Sequence, residues 1–193
     1  LSVLWVYQNL FTGTLPSLSD LPKLSSLSLF SNFFGGQVPD LGDLESLELL
    51  NLAVNQFTGR LPTLQGLRKL NHLFAYSNRS HPHIHRTGSH TKVLPPHTRS
   101  SSSTYTHASQ PRFTGPLPLL EDVPSLVTFN VDNNQFSGPL PELEPCPGLS
   151  VFRAGHNRLT GKIPPLGANP ALTEVWVTNN LLTGTLPLFE GGT

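Results

Sequence analysis

The chain has 193 residues, and its 12 lysines and arginines balance 12 aspartates and glutamates, so there is no whole-chain basic field to recruit nucleic acid or an anionic membrane. Hydrophobic residues make up 37%, enough for one modest domain. The single cysteine, Cys146, excludes an internal disulfide framework and gives no metal-ligand spacing, and no stretch approaches the ~20 apolar residues of a membrane span.

The opening residues, Leu1 to Leu10, lack the basic start and small-residue cleavage site of a signal peptide, so targeting information is expected outside the chain. An asparagine marks each of four segments, at Asn9, Asn32, Asn55 and Asn78, at intervals of 23 residues. Apolar residues stand eight, five and three positions before it, as in Leu24, Leu27 and Leu29, or Leu47, Leu50 and Leu52. Strand side chains alternate between two faces, so residues two apart enter a core together while those between them face outward. The asparagine amide carries both donors and an acceptor, which suits it to partner backbone groups where the chain turns off that strand. Four residues later comes glycine, at Gly13, Gly36 and Gly59, suited to a turn with φ near or above zero. Proline follows at Pro16, Pro39 and Pro62, fixing φ and ending pairing. Phe11, Phe34 and Phe57, two residues after the asparagines, are expected inside.

The next asparagine of the pattern, Asn134, lies 33 residues later than the interval requires. The surplus, residues 80–112, holds six of the eight histidines, twelve serines and threonines, four basic residues and no acidic one. Nothing in it can build a core. Its removal joins Asn78 and Arg79 to Phe113, giving the unbroken string SNRFTGPLP. Three readings are open. The surplus is a whole number of codons with arginine at both joints, which permits a translated intron. It is equally compatible with a flexible loop, which stacked repeats accept on one face. The third reading is a metal site on His81, His83 and His85, whose spacing lacks carboxylate or cysteine partners. The lone glycosylation-like triplet, Asn78-Arg79-Ser80, uses a pattern asparagine and is expected to carry no glycan.

Beyond the surplus, Asn134, Asn157 and Asn180 restore the interval, with Gly138, Gly161 and Gly184 after them and Phe113 and Phe136 continuing the phenylalanine positions. Leu172, Val175 and Val177 repeat the apolar spacing. The spacing L-x-x-L-x-L-x-x-N is that of leucine-rich repeats. The strings FTGTLP, FTGRLP, FTGPLP, FSGPLP and LTGKIP resemble the plant-specific class found in receptor-like kinases and receptor-like proteins. The resemblance covers about 160 of the 193 residues. It implies a leucine-rich repeat solenoid, a curved right-handed coil of parallel strands with about seven 23-residue repeats, interrupted by a disordered insert. The chain divides into repeats over 1–78, the insert over 79–112, and repeats over 113–193. Two departures from the class are visible: its usual repeat is one residue longer, and no paired-cysteine cap or kinase lies within this chain.

Counting back six, four, two and one positions from each asparagine gives the columns expected to face outward on the concave sheet. Aromatic side chains on a solvent-facing sheet serve no core, and Trp, Tyr and Arg are residues that dominate binding interfaces. The candidate ligand-binding residues are therefore Trp5, Tyr7, Phe30, Phe74, Tyr76, Asn130, Asp132, Arg153 and Trp176. The competing explanation is that strands favour aromatic residues. Cys146, in a column otherwise held by Leu21, Leu44, Leu67 and Val123, is expected to be a core thiol. Setting aside the insert leaves eight basic against twelve acidic residues, which favours a mildly basic ligand.

No nucleophile, base and orienting group recur together, and no phosphate-cradling loop interrupts the repeats, so a binding module without cofactor or catalytic residues is expected rather than an enzyme. The resemblance implies a peptide- or protein-binding fragment of a receptor-like ectodomain, extracellular or at the plasma membrane, with a co-receptor as a further partner. Two alternatives use similar repeats: a secreted inhibitor of cell-wall-degrading enzymes, and an intracellular scaffold.

Overall fold

The computed structural model of the chain describes residues 1–78 and 112–187. Seven short strands, Val3–Trp5, Ser26–Ser28, Leu49–Asn51, His72–Phe74, Thr128–Asn130, Val151–Arg153 and Glu174–Trp176, pair in parallel and in sequence order to form one sheet. Each turn of the coil advances one repeat and lays its strand against the one before. Leu4, Leu27, Leu50, Leu73, Phe129, Phe152 and Val175 stand side by side in this register. The five from Leu27 to Phe152 are buried, because the middle residue of each strand points into the coil. Burying each such side chain contributes about 1.5–3 kcal/mol, and only the neighbouring turns make that burial possible.

A second line of parallel strands forms on the side where the chain leaves the first. It comprises Thr12–Thr14, Phe33–Gly36 and Gln56–Phe57, then Thr114–Gly115, Gln135–Gly138, Arg158–Gly161 and Leu181–Leu182. A bridge between Gly59 and Phe113 joins the two groups. The repeating glycine adopts the expected left-handed turn, with φ from 72° at Gly36 to 92° at Gly184. At Gly59 a Cβ would also come within 2.9 Å of the Gln37 Cγ.

Between the two lines runs the asparagine ladder. Asn55 is 1% exposed, and its Nδ2 donates to Leu29 O of the preceding turn at 2.9 Å and to Leu52 O and Ala53 O of its own. Its Oδ1 accepts the amide of Phe34, the phenylalanine of the preceding turn, at 3.1 Å. The same pairing recurs at Asn32, Asn78, Asn134, Asn157 and Asn180. To swing each asparagine inward, the residue before it adopts positive φ, between 52° and 58°. Even Val54 does so, although a β-branched side chain disfavours that region. The phenylalanines stack beneath the ladder, with Phe11, Phe34, Phe57, Phe113 and Phe136 spaced 5.9–6.3 Å between ring centres.

The 33 extra residues leave the coil unshifted. His72 pairs with Thr128, and Asn134 Nδ2 donates to Ala75 O across 59 positions of sequence, just as Asn55 reaches Leu29 across 26. Phe57 and Phe113 stack at 6.1 Å as sequential turns do. The loop, translated-intron, disorder and metal-site readings concern the insert over 79–112, of which residues 79–111 lie outside the described residues.

On the far side of the coil, Cys146 occupies the leucine column as expected. It is fully buried, with Sγ 3.3 Å from Val123 O, and burial pushes its thiol up to about 11. The next residue of that column is Asn169, also buried, whose Nδ2 donates to Leu143 O and Cys146 O.

Candidate ligand-binding face

The outward columns of the main sheet form a continuous face, because parallel register sets equivalent positions of successive turns side by side. Its composition changes along the coil. In the early turns it is aromatic. Trp5 and Tyr7 are 58% and 47% exposed with ring centres 6.3 Å apart, and the Trp5 indole donates to Ser26 Oγ at 2.7 Å. Phe30 is partly buried. In the fourth turn three rings line one strand and its exit: His72 stacks on Phe74 at 6.3 Å, and Tyr76 meets Phe74 edge-on at 6.5 Å. Burial raises the Tyr76 phenol above its ordinary pKa, consistent with a partly enclosed hydroxyl.

The later turns are polar. Asp132 lies beside Tyr76 in the same column and is followed by Gly155 and Thr178. Its Oδ1 accepts the Gly155 amide at 2.5 Å. Burial raises the Asp132 pKa; the Gly155 hydrogen bond and nearby Arg153 and His156 pull the other way, and Glu174 adds to the rise. Arg153 is committed to protein partners. Its Nε and Nη2 both reach Glu174 Oε1 at 2.5 Å, and its guanidinium lies 4.5 Å from the centre of the Trp176 ring. The exposed His156 Nε2 lies 3.2 Å from Asn179 Nδ2.

Of the nine residues singled out in the sequence, the structure brings together Phe74 with Tyr76, and Arg153 with Trp176. Trp5 and Tyr7 form a separate pair two turns or more away. Asn130 sits on the expected strand but is only 8% exposed, and its Oδ1 accepts the amide of Asp132 at 3.1 Å. His72, Gly155 and Glu174 fall in the outward columns counted from the sequence but were not singled out there as site residues. For Gly155 and Glu174 the signal lies across adjacent turns: Asp132 and Gly155 are one whole repeat of 23 residues apart, and Arg153 and Glu174 are 21 apart, a diagonal offset by two. Among the described residues no cluster of three or more histidines, cysteines or carboxylates could hold a metal, and no helix is long and apolar enough to cross a membrane.

No protein-family model matches the chain, and no curated protein matches it. Solved structures do. The chain is similar to a TDR receptor (30% identity, TM-score 0.71) over 96% of its own length and 28% of that chain. It is similar to the ectodomain of the Arabidopsis receptor kinase HAESA in complex with an N-terminally extended IDA peptide hormone (28% identity, TM-score 0.75), over 98% of its own length and 27% of that chain. A third match is the plant peptide hormone receptor RGFR1 in complex with RGF2, at 28% identity and a TM-score of 0.74, covering 94% of this chain and 25% of that one. The chain thus spans about a quarter of the length of these structures.

Proposed function

We propose, from the premise that the chain is a leucine-rich repeat solenoid similar to plant receptor-kinase ectodomains, that it is the ligand-recognition part of a receptor-like protein or receptor-like kinase. It works outside the cell, binds a peptide or protein segment along its main sheet, and performs no catalysis. Its matches to receptors solved with bound peptide hormones support this reading. One observation carries it most directly: His72, Phe74 and Tyr76 present a contiguous aromatic surface on the outward face of a sheet whose core is already filled from the other side. Those rings add nothing to the interior, and clustered aromatic side chains are the usual anchors of a recognition surface.

The test is a random-peptide display selection on the full chain. Peptides should be enriched, and Phe74→Ala or Tyr76→Ala should each weaken their binding about tenfold while leaving the melting midpoint nearly unchanged. Enriched peptides that bind both variants as they bind the parent would remove the concave face from the proposal.

A further inference from the structure

We infer that Asp132 is a subsite for one basic side chain, lysine or arginine, of a peptide lying on this face; the inference rests on the peptide-binding reading above. Asp132 differs from the other polar residues of the face in how it is held. Asn130, one alternation before it, spends its Oδ1 on the amide two residues on, as Asn51 does for Ala53. Asp132 instead reaches across to the next turn and takes the amide of Gly155. The absence of a side chain at Gly155 makes that reach possible. A Cβ there would lie 3.3 Å from Asp132 Oδ1 and 3.1 Å from Thr178 Oγ1, tighter than ordinary contact. One carboxylate oxygen is thereby fixed, and among the described residues the other has no hydrogen-bond partner.

The surroundings select a cation. Among the described residues of the outward columns the charged side chains are Asp132, Arg153 and Glu174, two carboxylates against one guanidinium. Arg153 and Glu174 neutralise each other in a direct ion pair, and the Trp176 ring covers the guanidinium. Asp132 makes no direct ion pair among the described residues; Arg153 and His156 lie near enough to favour its charged form without contacting it, and Glu174 opposes them. Asp132 is half-buried, so little water screens it, and Tyr76, which precedes it in the same column, offers a ring suited to the alkyl stem or the charge of a lysine or arginine. A carboxylate already oriented by a backbone amide loses little freedom when it receives a cationic partner. Arg153 is a poor receptor for an anion, since capturing one would require breaking its pair with Glu174.

The experiment repeats the display selection on the full chain and on Asp132→Asn. Asparagine keeps the shape, and its Oδ1 still accepts the Gly155 amide, so only the charge is removed. Peptides enriched on the parent should carry lysine or arginine at one fixed position, and Asp132→Asn should abolish that preference while still enriching peptides. Replacing the basic residue of one selected peptide by norleucine should weaken its binding to the parent about tenfold and its binding to Asp132→Asn by less than twofold. Peptides enriched without a basic preference, or with one that persists on Asp132→Asn, overturn the subsite and leave the binding face intact. Failure to enrich any peptide, or enrichment insensitive to Phe74→Ala and Tyr76→Ala, overturns the face and the subsite together.

Discussion

Asn55 concentrates the physics of the repeat in one side chain. Leucine at this position would match the apolar surroundings yet leave the half-buried Phe34 amide without its acceptor and take from the Leu29 carbonyl one of its two side-chain donors, the other being Asn32 Nδ2. An unsatisfied group of this kind costs about 1–3 kcal/mol, so Asn55→Leu should lower stability by about that much, read from the urea midpoint. A change below about 1 kcal/mol would mean that water reaches the ladder. The asparagines could be assigned from sequence because each recurs at a fixed interval. Their partners could not: the amide acceptor reaches the preceding turn, 21 residues back, and nothing in the local string specifies that distance.

The strand pair His72–Phe74 and Thr128–Asn130 carries the argument at the scale of elements. These strands are neighbours in the sheet although one repeat and 33 further residues separate them. The stacked rings of Phe57 and Phe113 and the Asn134 to Ala75 hydrogen bond close the same joint. The contacts on both sides of the interruption therefore belong to a coil that is complete without residues 80–112, and we propose that this segment is foreign to the fold. Closing a flexible loop of that length costs about 3 kcal/mol of chain entropy. Deleting 80–112, which joins Arg79 to Phe113, should raise the melting midpoint by roughly 5–10 °C in a thermal scan. A midpoint that falls would show that the segment contributes contacts of its own.

Across the whole molecule, a solenoid has no single centre, and each turn is stabilised by the turns on either side. Leu50 has a neighbour on both flanks and is fully buried; Leu4 holds the equivalent position in the first described turn and is only partly buried. Leu50→Ala should cost about 2–5 kcal/mol and Leu4→Ala distinctly less, measured by denaturant unfolding of the two variants side by side. Equal costs would contradict nearest-neighbour stacking. The same architecture explains the function proposed for the chain, since stacking many turns lines their outward positions into one extended face along which a peptide can lie.

The period, the inward columns and the turns are legible in the amino-acid string alone. An interval of 23 residues is one turn of the coil, so any residue the turn requires, such as asparagine, glycine or phenylalanine, reappears at that interval and can be read without knowing the structure. The same string also locates the outward columns, and with them Phe74, Tyr76, Asp132 and Trp176. Which of those side chains meet emerges only when the turns stack. Asn130 and Asp132 belong to one strand and its exit, and both read as exposed polar positions; one folds back on its own backbone while the other crosses to Gly155. Arg153, singled out in the sequence as a candidate ligand contact, is held between Glu174 and Trp176. The reason is geometric. A repeat fixes where each Cβ stands, but the partner a long side chain finds depends on which residues occupy the adjacent turn, and that is settled when the turns stack.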